Sequence, residues 1–194
     1  MPWAAGRVLS VLCLGLLGQG AQPLYDGHWW RSISQPEQDG FLFGWFDCYQ
    51  FEYKGRDSFS KSMASDRALI ARAYESSPSD LSQPVSDVII RLRDTSGEKP
   101  EETGGEPARG RHHGNDGLYW FQIQHTQQLG FVEGYLQCHE HLAHNKGGVF
   151  SKAPDEYRAL ISRWYQINEQ TGDINGEREP EAIADVLFKV RSGT

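Results

Sequence analysis

The strongest constraint on this chain is that much of it occurs twice. Residues 26–50, DGHWWRSISQPEQDGFLFGWFDCYQ, align without a gap on residues 116–140, DGLYWFQIQHTQQLGFVEGYLQCHE. The identities pair Asp26 with Asp116, Gly27 with Gly117, Trp30 with Trp120, Ile33 with Ile123 and Gln38 with Gln128. They continue through Gly40/Gly130, Phe41/Phe131, Gly44/Gly134 and Cys48/Cys138. Chance predicts about one or two matches over such a window, so the pattern reads as an internal duplication. Downstream, FSKSMASDRALIARAY (59–74) matches FSKAPDEYRALISRWY (150–165), and DVIIRLR (87–93) matches DVLFKVR (185–191).

These blocks divide the chain into helical repeat 1 at 26–93 and helical repeat 2 at 116–191. Between them lies 94–115, rich in Gly, Pro and Glu with almost nothing apolar, the composition of a flexible linker. Within each copy the spacing predicts three helices. Ser34, Pro36 and Glu37 form a helix opening, so the main helix of copy one is expected from about Gln35, with 26–33 as a separate helical turn. Copy two lacks that proline, which leaves its helix room to begin earlier. Gly55 and Gly147 are candidate stops.

The second block carries apolar residues at three-four spacing, and Pro154 followed by Asp155 and Glu156 suits a helix start. The third block is read as a helix, with a strand as the alternative where VIIRLR and VLFKVR alternate. The fold class that follows is all-α: two tandem three-helix repeats packed as a pseudo-symmetric helical bundle.

Glycine inside a helix costs about 0.5–1 kcal/mol relative to alanine, so Gly40, Gly44, Gly130 and Gly134 need a reason. Spacing of four lines them along one face, where a second helix can approach closely and regain the loss in van der Waals contact. Helices meeting about a twofold axis bring equivalent positions together. Cys48 and Cys138 are therefore expected to be neighbours, either as a structural disulfide closing a loop of about 90 residues, worth ~4 kcal/mol, or as two buried thiols. Export favours the bridge.

The expectation of export comes from residues 1–20. One arginine, an apolar run from Val8 to Leu17 and small residues at Gly18 and Gly20 have the form of a cleaved signal peptide. The run is well short of the ~20 residues a membrane span requires, so no membrane insertion is expected after cleavage. A formal net charge of -7 argues against nucleic acid as a partner, because phosphate recruits basic surface. A secreted or periplasmic protein results.

The one segment with metal-ligand character is CHEHLAH, 138–144. Glu140, His141 and His144 lie on one helical face and suit Zn²⁺, although Ala143 stands where the zinc-protease helix needs its second histidine. Such histidines also serve simply to complement a helix C-terminus. No catalytic residue is assigned: nucleophile elbows, phosphate loops and dinucleotide fingerprints are all missing from the sequence. Asp26 and Asp116 precede glycines and fit caps or turns. The repeated Arg67/Arg158 and Arg72/Arg163 suit ion pairs with Asp87 and Asp185, or an anionic ligand.

GFVEGYLQC, and less closely GFLFGWFDC, resembles the aromatic-x-x-Gly-aromatic helix of small exported proteins of the Tai immunity type. The resemblance covers one helix per copy, and the duplication and long linker depart from a single immunity unit. Proteins of that family bind and block cell-wall amidase effectors in the periplasm. The resemblance thus implies a helical build and a protein partner, without assigning a binding residue. The reading is an exported, non-enzymatic binding protein, inhibitor-like or envelope-associated; the alternative is a metal-binding protein or metal-dependent hydrolase using residues 138–144.

Overall fold

A computed structural model describes residues 25–53, 62–95, 116–142, 150–170 and 181–191. The described residues are all-α, with eight α-helices and one short 3-10 turn. In chain order these are α1 (Gly27–Ser32), α2 (Gln35–Tyr53), α3 (Met63–Ser76), the 3-10 turn (Pro78–Ser82) and α4 (Val85–Thr95). They are followed by α5 (Gly117–Gln122), α6 (His125–Leu142), α7 (Pro154–Gln170) and α8 (Ile183–Val190).

Local chemistry sets these boundaries. Asp26 and Asp116 are N-caps: their carboxylates accept from Trp29 N at 2.9 Å and Tyr119 N at 3.0 Å. α1 and α5 each stop after two turns, because Ile33 and Ile123 are extended. The break before α6 therefore recurs without a proline, and the room for an earlier start there is not used. A glutamine spans the break in both places: Gln38 Nε2 donates to Trp30 O at 2.8 Å, and Gln128 Nε2 donates to Trp120 O at 2.7 Å. Each amide satisfies a carbonyl at a helix end that would otherwise be orphaned.

The third block is helical in both halves, as α4 and α8. Period-two alternation was misleading there, because Val85, Val88 and Ile89, like Ile183, Val186, Leu187 and Val190, form a buried three-four stripe. α4 runs through Asp94 and Thr95, two residues into the stretch read as linker. Residues 1–20, the remaining linker, Gly55, Gly147 and His144 lie outside the described residues.

α2 and α6 form the most extensive contact, with α3 and α4 following α2, and α7 and α8 following α6. The third helices also cross over: α4 touches α6, and α8 touches α2. One continuous core results, in which Trp30, Phe41, Trp45, Tyr74, Trp120, Phe131, Tyr157 and Tyr165 are all essentially inaccessible to water. Because α2 is covered from several sides, it buries adjacent residues (Phe41, Leu42, Trp45, Phe46) instead of one narrow stripe.

Candidate functional site

The α2–α6 crossing is where the sequence placed its small residues. A β-carbon added to Gly40 would strike Gln127 O and come within 3.0 Å of Phe131 N. One added to Gly130 would strike Glu37 O and come within 3.0 Å of Phe41 N. Gly44 lies against the carbonyl of Phe131, and Gly134 against that of Phe41. The two backbones are therefore in direct contact, and four glycines make that approach possible.

Cys48 and Cys138 are fully buried at this crossing, 2.7 Å apart and unbridged. The expected disulfide is thus corrected to a pair of neighbouring thiols, since an S–S bond is about 2.05 Å long.

Glu133 lies on α6 in the same contact. Its side chain is 8% exposed, and its buried Oε2 has no hydrogen-bond partner among the described residues. Burial, reinforced by the negative charge of Glu37, pushes its pKa from the ordinary 4.5 up to about 8, against the opposing pull of the Tyr25 hydroxyl. Tyr25 is itself raised by burial and then by Glu133. Its ring packs edge-on against Trp29, with centroids 4.8 Å apart, and its carbonyl accepts from Val85 N at 2.8 Å. Sequence reasoning missed this pair. The signal was a single glutamate in an otherwise apolar run, GFVEGY, at the position where GFLFGW has Phe43.

The residues singled out for metal do not converge. Glu140 is exposed and accepts from Gln137 Nε2 at 3.2 Å, whereas His141 Nδ1 faces Asp87 Oδ1 on α4 at 3.4 Å. His139 stands edge-on to Phe150 with centroids 5.0 Å apart. Among the described residues no group of three His, Cys, Asp or Glu side chains could hold a metal ion. A shallow open groove between α4 and α6 is lined by Asp87, Ile90, Arg91, Asp94, Thr95 and His141. The repeated arginines are engaged locally: Arg67 pairs with Asp39 at 2.9 Å and Arg158 with Asp155 at 2.8 Å. Arg91 reaches Asp80 at 2.9 Å, and Arg93 lies over the Tyr49 ring at 3.7 Å.

The outer surface carries a different feature. Leu118 and Phe121, one turn apart on α5, are 59% and 46% exposed, and Phe121 leans edge-on against Tyr165. Ile167 on α7 is 52% exposed. The aligned positions of the first half hold His28, Arg31 and Ser76, all exposed and polar.

No known family, curated protein or solved structure matches the chain. Among the described residues, no helix is long and apolar enough to cross a membrane.

Proposed function

We propose that this chain is two tandem three-helix copies related by a pseudo-twofold axis between α2 and α6, and that it works as an exported, non-enzymatic binding protein. Support for the paired build comes from the reciprocity of the glycine contacts: Gly40 against Gln127 and Phe131 mirrors Gly130 against Glu37 and Phe41. The crossing is a framework buried from water, which leaves recognition to the outer faces.

The observation that carries the binding role is the exposed Leu118 and Phe121, apolar in one half where the other has His28 and Arg31. Large apolar side chains left in water at one of two otherwise matched places suit a protein contact. In this reading the partner is a protein met outside the cytoplasm, in keeping with the signal-like residues 1–20 and with the resemblance of GFVEGYLQC to inhibitory immunity helices. The metal reading gains less support, because Glu140 and His141 turn to different partners.

A photocrosslinking residue at position 121, compared with one at position 31, tests the proposal in cells that express the protein. One discrete adduct from 121, missing from 31 and suppressed by Leu118→Glu, is the expected result. Equal labelling from both positions removes the reading.

A further inference from the structure

We propose that Cys48 and Cys138 are a peroxide-responsive pair, two thiols at rest that hydrogen peroxide closes to a disulfide, locking the α2–α6 crossing until a reductant reopens it. Both side chains are wholly buried, and their sulfurs stand 2.7 Å apart without a bond. An S–S bond of about 2.05 Å therefore asks the two atoms to approach by only about 0.6 Å.

Main-chain packing sets that spacing. Cys48 follows Gly44 by one turn of α2, and Cys138 follows Gly134 by one turn of α6. Gly44 is pressed on the Phe131 carbonyl and Gly134 on the Phe41 carbonyl, within the most extensive helix contact of the described residues. The sulfurs are thus held together by the two backbones, and neither side chain can leave the other while the helices stay crossed.

Hydrogen peroxide suits a site closed to water, because it is small enough to enter through a brief local opening, whereas a protein disulfide finds no exposed sulfur to meet. In the first step one thiol sulfur attacks a peroxide oxygen and the O–O bond breaks. That sulfur is oxidised to a sulfenic acid, and the other oxygen takes the thiol proton and leaves as water. In the second step the remaining thiol attacks the sulfenic sulfur, the S–O bond breaks, and the hydroxyl leaves with the second thiol proton as water. Two thiols and one peroxide give one disulfide and two waters. With the second sulfur already at 2.7 Å, the sulfenic acid is captured before further peroxide carries it to sulfinic acid. The product holds by a bond what packing held before. It closes a loop of about 90 residues, which restricts the unfolded chain far more than the folded one.

The test treats the full chain, purified with reductant and then freed of it, with graded hydrogen peroxide, and maps residues 48 and 138 by mass spectrometry. The expected result is a monomeric chain whose two cysteine peptides are joined with the loss of two hydrogens, and part again in dithiothreitol. Urea unfolding of the treated chain should give a folding constant larger than that of the reduced chain by on the order of a hundredfold. Cys48→Ala removes one sulfur, so its Cys138 should gain oxygen as sulfinic acid, with no such rise in stability. Thiols that survive peroxide in the native chain but oxidise in urea overturn the proposal. So do oxygen added to wild-type cysteines without a joined peptide, bridges between chains, and a bridged chain no more stable than the reduced one. Should Cys48→Ala not fold, the wild-type map and unfolding curves decide.

Discussion

The two halves share a framework and differ in what they attach to it. In both, an aspartate caps the first short helix, a glutamine closes its far end, and a buried tyrosine reaches the chain just before the last helix. Tyr74 donates to Gln83 O at 3.0 Å and Tyr165 to Glu181 O at 2.7 Å. The substitutions fall elsewhere. Phe43 becomes Glu133, Arg31 becomes Phe121, and Asp66, fully buried on α3, becomes Tyr157, whose hydroxyl accepts from Ser151 N at 2.9 Å. Trp45 donates to Ser86 Oγ at 3.1 Å, whereas the matching places in the second half hold Tyr135 and Ala184, which cannot make that bond. Contacts that close the backbone are thus kept in pairs, while those that tune charge and surface are free to diverge.

The largest effects test the shared framework. Gly44→Ala and Gly134→Ala are each expected to cost about 3 kcal/mol or more, despite the better helix propensity of alanine, because the obstacle is a backbone carbonyl and not a side chain that can turn away. Urea denaturation should give similar losses for the two, and a marked inequality breaks the equivalence of the halves at the crossing.

Next come the glutamines. Gln128→Ala, at a position 9% exposed, should lose about 1–2 kcal/mol, and Gln38→Ala, at a less buried position, about half of that. Equilibrium unfolding measures both; an undiminished Gln38→Ala protein would show that the break before α2 rests on Pro36 and Ser34 instead. Removal of one hydroxyl is smaller still. Tyr74→Phe and Tyr165→Phe should each cost about 1 kcal/mol, and thermal melts that separate them by more than that would mark one half as the better packed.

The smallest expected effect concerns the cysteines, which are buried thiols 2.7 Å apart. In the native protein Cys48 and Cys138 should resist iodoacetamide, and denaturant without reductant should expose both to alkylation, with no change in stability on prior treatment with dithiothreitol. A protein that alkylates only after reduction would contradict the unbridged pair.

Much of the fold could be read from the chain because the matched sequence blocks give each local signal twice. Asp26 and Asp116 as caps, Pro154 as an opening and the glycine rows as a contact face all follow from residue type and spacing. What stayed hidden were roles that depend on a distant neighbour. Nothing local shows that Gln128 will stop α5 in the absence of a proline, since its partner Trp120 is eight residues away across a break. In CHEHLAH the chain order does not show that Glu140 faces Gln137 while His141 faces Asp87 of α4.

What the sequence determined by itself was the helical period, the caps and the need for a close helix crossing, because those depend on side-chain size and on hydrogen bonds spanning a turn or less. Tertiary structure decided the rest. It placed Glu133 beside Tyr25 and Glu37, left the cysteines as neighbours without a bond, and put Leu118 and Phe121 in water. Desolvation and Coulomb energy depend on which segments surround a group, and that is settled only once α2 and α6 have packed.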